Sequence, residues 1–539
     1  MHAYELEQRT IGRILADKAA RVGDKPWLLW QERVYTYGDL ERMTNRYANG
    51  FTALGIRKGD HVAVMLPNCP EFFWVIWGLG KIGAVAVPIN TAAKGELLRY
   101  FIDQSDSTWM VVDEEFAERL KAVKGQLSKI RCYQYLGPRS ARDAIIADGR
   151  VPVIDLRDVE RESEAAPPVD AVHYDDLHLI MYTGGTTGPS KGVMSPHAQA
   201  HGVGLSLVSH YGYRPDDVLY VCLPLFHGNA LWYSCYPALW ADAAIALAPR
   251  FSASQFWSDV RRYGATQFNT LAAMTNILWK LPASEQDRDH KLRLCMTVPV
   301  PKEIYDEFEA RYHVTITAVY AMTETFPVTL YTPHEPADKH GSAGKPPGYV
   351  DMKIMDEHDR PLPAGQTGEI CVRPQEPGLM MQGYYNMPEA TLKEMRNCWF
   401  HSGDRGYVDE DGYLYFVERT KETIRRRGEN ISAYEVELII CRHPKVLEAA
   451  AVPVPSELGE DDLMVFLVLR PGERVTAEDI VAFCSENMAY YMVPRFIEFI
   501  DALPKTPSEK IEKYKLKKLA EERRATLWDR EKMGIKVTR

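Results

Sequence analysis

Nine cysteines are spread through this 539-residue chain without one C-x-x-C pair and without a cysteine–histidine cluster of zinc spacing. A structural zinc unit is therefore not expected. The set (Cys69, Cys132, Cys222, Cys235, Cys295, Cys371, Cys398, Cys441, Cys484) is odd and dispersed, which suits reduced thiols in a cytosolic enzyme better than a secreted framework. The opening MHAYELEQRT has neither a basic n-region nor an apolar h-region, so no signal peptide is expected. The most apolar early stretch, Phe72 to Ile89, is broken by Lys81 and several glycines and falls short of a spanning helix. Internal repeats and low-complexity tracts are missing too. The net charge is −10, which disfavours a whole-protein affinity for nucleic acid.

What is present is ordinary globular composition, 46% hydrophobic and 26% charged, over a length that suits roughly three to four domains. Such a chain can bury a large core without staples. His61–Leu66 and Ala84–Pro88 read as buried strands, Leu97–Asp106 as an amphipathic helix, and Trp109–Val112 as another strand. That alternation predicts α/β structure with a parallel sheet. Residues 161–168 read as a polar linker. Further on, Tyr407-Val408 and Tyr413–Phe416 flank a Gly-containing turn and predict an aromatic hairpin. A small unit follows Arg419: helix Glu435–Cys441, strand Leu463–Leu469, helix Ala477–Glu486. From Lys505 to Arg539 twelve basic residues stand against six acidic ones, and this tail reads as a solvated helix.

Three local matches fail on context. Gly78–Gly83 fits G-x-G-x-x-G, but a helix-like stretch precedes it and a strand-like run follows, the reverse of a dinucleotide site. His334–His340 has the wrong spacing for a zinc protease helix, and Pro336 would break that helix. Gly188–Gly192 fits G-x-S-x-G, yet five Thr/Gly residues separate it from the strand that a nucleophile elbow needs.

The segment that holds is the strand-like Leu177–Tyr182 and the loop after it, Thr183-Gly184-Gly185-Thr186-Thr187-Gly188-Pro189-Ser190-Lys191-Gly192. Glycines let backbone N–H groups turn onto an anion, hydroxyls add donors, and Lys191 adds charge. A mobile surface turn would account for the glycines but not for the interleaved Thr, Ser and Lys. The spacing is not that of a Walker A loop.

This loop resembles the T-S-G-T-T-G-x-P-K-G motif of the adenylate-forming superfamily of acyl-CoA synthetases, luciferases and peptide synthetases. Gly184 stands for Ser, and Pro189-Ser190 for x-Pro. Further resemblances follow in the family's order: Pro224–Gly228 to P-L-F-H, Tyr320–Glu324 to Y-G-M-T-E, Ser402-Gly403-Asp404 to T-G-D. Then come Glu418–Lys421 to D-R-x-K, Gly428-Glu429-Asn430 to G-E-N, and Pro507–Ile511 to P-S-G-K-I with Glu509 for Gly. The likeness runs from Tyr35-Thr36-Tyr37 to Lys510.

The resemblance implies an α/β fold. A large N-terminal domain (1–420) of α/β subdomains would carry a β-barrel-like subdomain, and a small, mobile α+β domain (421–539) would pivot about Lys421. It implies ATP, Mg²⁺ and coenzyme A as partners of a carboxylic acid. Thr183, Gly184, Gly185, Thr186, Thr187 and Lys191 would face phosphate, Tyr320 would stack on adenine, and Thr323 would hold the α-phosphate. Glu324 would ligate Mg²⁺, and Asp404 would hold the ribose with Arg419 beside it. Lys510 would bridge carboxylate and phosphate as charge builds on phosphorus, His227 would gate the carboxylate, and Gly428-Glu429-Asn430 would line a pantetheine tunnel. The run Arg425–Arg427 is either a solvated face or a seat for CoA phosphates.

Among the branches, the crotonobetaine/carnitine–CoA ligases look nearest, on Asn68–Phe72, Pro361–Gly365, Tyr415–Val417 and Gly428–Ser432. Around the acyl chain the likeness places Asn229, Ala230, Trp232, Phe268, Met274, Thr297, Val298, Val319 and Ala321; plain core packing is the competing reading. Val298, Val319 and Ala321 stand where glycine is frequent in ligases of long or aromatic acids, which predicts a short or compact acid. The expected function is an ATP-dependent acid–CoA ligase. The alternative is a stand-alone adenylation enzyme feeding a carrier protein. A homodimer is compatible with either.

Overall fold

The computed structural model describes residues 4–138, 151–160, 163–183, 189–298, 304–333, 335–419, 423–456, 459–504, 511–524 and 526–537. Of Val169, Ala272, Ala273, Glu418, Arg419 and Thr423 only the backbone is described.

Two large sheets carry the N-terminal part. The first has seven strands in the order Val153–Asp155, Cys132–Leu136, Trp109–Asp113, His61–Met65, Val85–Pro88, Leu177–Thr183 and Lys191–Pro196. Its pairs are parallel except the last, where Leu177–Thr183 and Lys191–Pro196 run antiparallel. The strands His61–Met65, Val85–Pro88 and Trp109–Asp113 are buried almost throughout, as a sheet covered on both faces requires. The second sheet has eight strands, with a parallel centre (Leu294–Val298, Gln267–Leu271, Val218–Val221, Ala244–Leu247) and antiparallel pairs at both edges.

Between them lies the helix Pro70–Lys81, apolar nearly all round and buried on every face. A helix of that kind belongs in a core. Trp77 and Phe73 both pack on Trp27 of the second sheet, with ring centroids 5.1 Å and 4.9 Å away. Gly78–Gly83 therefore falls on this helix and the turn ending it, which explains why the dinucleotide pattern carries no chemistry. Likewise a strand, not a helix, follows Ser190, so the nucleophile-elbow match has no elbow.

The aromatic hairpin belongs to an antiparallel sheet of five strands built on Val350–Met355, Gly368–Pro374 and Trp399–Val408, with Leu414–Arg419 paired to the last. The small C-terminal unit holds a hairpin (Thr423–Arg426, Glu429–Ser432) and a four-stranded sheet, Val446–Pro455, Asp461–Leu469, Phe496–Phe499 and Trp528–Asp529.

One expectation is corrected here. The basic tail is not merely solvated. The helix Lys513–Arg523 buries Leu516 and Ala520, and Trp528–Asp529 adds an edge strand. Asp529 is 3% exposed and takes a two-pronged pair from Arg495, at 3.1 and 3.0 Å. The hinge residue Lys421 lies outside the described residues.

Candidate active site

Backbone pairing sets Thr183 opposite Lys191, so one hairpin presents both ends of the glycine-rich loop to the same place. Gly184, Gly185, Thr186 and Thr187 lie outside the described residues. The Thr183 hydroxyl reaches Glu324 Oε1 at 3.5 Å, and the Tyr384 hydroxyl contacts the same oxygen at 2.9 Å. Burial holds the Glu324 carboxyl above the usual carboxylate range, and the neighbouring Glu394 adds to this. A half-buried carboxylate beside a hydroxyl at the start of the glycine-rich loop is a donor set of hard oxygens, the kind a Mg²⁺–triphosphate takes. The backbone carbonyl of Thr323 accepts from Gln199 Nε2 at 3.0 Å, which fixes the turn carrying Thr323 and Glu324.

Tyr320 ends the strand Thr315–Tyr320 and donates its hydroxyl to Asp404 Oδ2 at 2.9 Å. Asp404, on Trp399–Val408, is 4% exposed and donates its backbone N–H to Ser402 Oγ at 3.0 Å. Backbone pairing sets Arg419 opposite Asp404; its side chain lies outside the described set. Two strands from different sheets thus bring the adenine and ribose candidates into one bond.

The G-E-N segment sits on the cavity. Gly428 has φ +82°, a left-handed backbone that favours glycine, and a Cβ there would press on Leu271 Cδ1. Glu429 Oε2 receives His227 Nε2 at 2.9 Å and Asn90 Nδ2 at 3.1 Å. From the same small unit Glu435 accepts the Ser190 N–H at 2.8 Å. Thr183, Lys191, His227, Thr323, Glu324, Asp404 and Gly428–Asn430 all line one cavity of about 1110 Å³. Tyr320 stands behind Asp404. Lys510 lies outside the described residues.

Asn229, Trp232, Met274, Val298, Val319 and Ala321 line the same cavity. Asn229 is steadied by the buried Asn269, whose Nδ2 donates to its side-chain oxygen at 3.1 Å. Trp232 lies in a π-helical turn, Leu231–Cys235, a distortion that often marks sites. Ala230, Phe268 and Thr297 are corrections to the wall. Phe268 is fully buried and packs edge-on against Phe256 at 5.0 Å, Thr297 turns to Thr275, and Ala230 is enclosed in the core. The arginine run divides. Arg426 is buried against Asp462 and two backbone carbonyls, its guanidinium pushed down by burial to about 10, while Arg425 and Arg427 line the cavity.

Sequence reasoning missed Asn90, Asn269, Tyr384, Glu394 and Glu435. Only Tyr384, in an aromatic pair after Gly383, carried any local signal.

The chain is similar to known proteins over most of its length. The family model described as AMP-binding enzyme matches residues 15–385, and that of the AMP-binding enzyme C-terminal domain matches 435–510. The crotonobetaine/carnitine–CoA ligase of Salmonella agona (strain SL483) is 35% identical over 511 residues, covering 93% of this chain and 97% of that protein. The o-succinylbenzoate CoA synthetase (MenE) of Bacillus subtilis, bound with its product analogue OSB-NCoA, superposes with a TM-score of 0.81 at 26% identity, over 94% of this chain and 98% of that one. The Mycobacterium tuberculosis fatty acyl CoA synthetase gives 0.68 at 28% identity, over 95% and 98%. This chain belongs to the AMP-binding enzyme family, among its AMP-forming acid–thiol ligases.

Proposed function

We propose that this chain joins a compact carboxylic acid to coenzyme A in two half-reactions. In the first, the acid carboxylate attacks the α-phosphorus of ATP, giving the acyl-adenylate and releasing pyrophosphate. In the second, the CoA thiol attacks the acyl carbon, giving the thioester and releasing AMP. The observation that carries the reading is the single cavity that holds the nucleotide candidates, the acyl wall and Glu429 at His227.

In this reading Asp404, held by Tyr320, grips the ribose, and Thr183, Thr323 and Lys191 take phosphate oxygens. Glu324, with the Thr183 hydroxyl near it, would hold Mg²⁺, which supplies charge neutralisation along the phosphates. Lys510 is assigned to the first half-reaction. The contact of Glu429 with His227 supports the second, since it draws the small unit over the acyl site. Two poses for two half-reactions make domain movement the gate between them. Lys421 is assigned as the pivot, and the boundary near 420 as the domain limit.

Val298, Val319 and Ala321 line the cavity with bulkier side chains than glycine, which supports a compact acid. Arg425 and Arg427 at the cavity rim support free CoA, with its phosphates, over a carrier-bound thiol. Its charged small-molecule substrates and nine free thiols suit a cytoplasmic setting.

The test is pyrophosphate release over a panel of acids, crotonobetaine and carnitine included, with and without CoA. CoA-dependent thioester with stoichiometric AMP is the expected result. Pyrophosphate without thioester would overturn the ligase reading and leave adenylation alone.

A further inference from the structure

Lys191 is the one lysine of the glycine-rich loop, and its ammonium is already engaged. Its Nζ lies 2.6 Å from Glu394 Oε1 and 4.3 Å from the centroid of the Tyr384 ring. Glu394 is the last residue of the helix Pro388–Glu394 and is 7% exposed. Its other oxygen accepts from the Tyr384 hydroxyl, which also contacts Glu324. A carboxylate so deeply placed is tolerable because Lys191 compensates its charge.

The chemistry of phosphate binding does not ask for Glu394. A lysine serves phosphate oxygens without a carboxylate beside it, and a carboxylate in a low-dielectric cavity repels a triphosphate. The loop's Ser190 N–H is also taken by a carboxylate, that of Glu435. Two donors suited to phosphate oxygens therefore bind internal carboxylates in the pose that brings Glu429 to His227.

We infer that Glu394 is an internal competitor for the leaving pyrophosphate. Its carboxylate holds Lys191 when the phosphates are absent, yields it to the triphosphate, and takes it back as pyrophosphate departs. No covalent bond changes in this exchange; the ammonium passes from one anionic oxygen to another. The acyl-adenylate has no β- or γ-phosphate, so the competition acts on pyrophosphate and spares the intermediate. Glu394 is thus a positioning residue that biases the first half-reaction forward. The inference deepens the proposed function and rests on it.

The experiment is binding of magnesium pyrophosphate to the full-length protein by calorimetry, paired with product inhibition of adenylation. Glu394→Gln is expected to tighten pyrophosphate binding by about tenfold or more, the usual worth of a charge-assisted contact. Glu394→Asp is expected to fall between. In a Lys191→Ala background the gain from Glu394→Gln should shrink to the small part due to direct repulsion, which a general loosening of the fold would not reproduce. Unchanged or weaker binding in Glu394→Gln with Lys191 present overturns the inference. If Glu394→Gln does not fold, Glu394→Asp decides alone, and binding no tighter than wild type overturns it. A wild-type protein that binds neither MgATP nor pyrophosphate would instead sink the functional reading beneath it.

Discussion

His227 Nε2 and Glu429 Oε2 meet at 2.9 Å, and Asn90 reaches the same carboxylate oxygen at 3.1 Å. One atom of the small C-terminal unit is therefore held by two residues of the large one, and all three residues line the same cavity.

Replacing that carboxylate separates the two half-reactions. Glu429→Gln is expected to slow thioester formation by about tenfold to a hundredfold, the range for losing a charge-assisted hydrogen bond. Pyrophosphate release without CoA should change far less. Rapid-quench assays of each half-reaction check this; equal losses in both would mean that Glu429 acts on the first as well.

Enlarging the acyl pocket should shift acid preference. Val298→Gly with Val319→Gly is expected to favour acids longer by one or more methylenes, at about 1–3 kcal/mol of discrimination per methylene. Comparing kcat/KM over a homologous series of acids decides it. No lengthening would remove both valines from the acyl wall.

Phe268 offers the opposite control. Truncating a fully buried ring that packs on Phe256 should cost about 3–5 kcal/mol of stability. Acid preference in Phe268→Ala should stay as in the wild type. Denaturant titration and the same acid series measure the two effects separately.

Acid should weaken the fold early. His178, His197 and His201 are fully buried, and the rings of His178 and His197 stack at 4.4 Å. Burial pushes His197 down to about 3 and lowers the other two. These imidazoles bind protons mainly in the unfolded chain, so stability is complete above about pH 6.5 and declines as pH falls toward 3. Each histidine contributes a slope of about 1.4 kcal/mol per pH unit in that window. Asp113, held up by burial to about 6, and Glu309, Glu324, Glu435 and Glu460, raised by burial, bind protons first in the folded state and offset part of the loss. Urea midpoints from pH 7.5 to 5 should fall; a flat profile would contradict the burial of the trio.

Much of this was legible from contiguous sequence. Thr183, Glu324, Asp404 and Glu429 sit in short motifs whose order along the chain identifies the fold. Phe268 was misplaced because Gln267–Leu271 is a central strand with both faces covered, so alternation cannot say which face meets the cavity. Glu394 was invisible because it belongs to no motif, and only the docking of Pro388–Glu394 beside Lys191 buries its carboxylate. Glu435 gains its role from the seating of one unit on another, which no local pattern encodes. The tail was misread because Trp528–Asp529 is too short to show a period.

The pairing of Arg495 with Asp529 has a consequence for how the protein comes into being. Synthesis proceeds from the N-terminus and domains fold as they emerge. The strands of both large sheets are complete by residue 331, well before Asp529 leaves the ribosome. The unit that carries Glu429 receives its edge strand only some hundred residues after Glu429 itself has been made. A nascent chain should thus acquire its nucleotide cradle before it acquires a finished lid, and a proteolytic clip near residue 525 should return it to that earlier state.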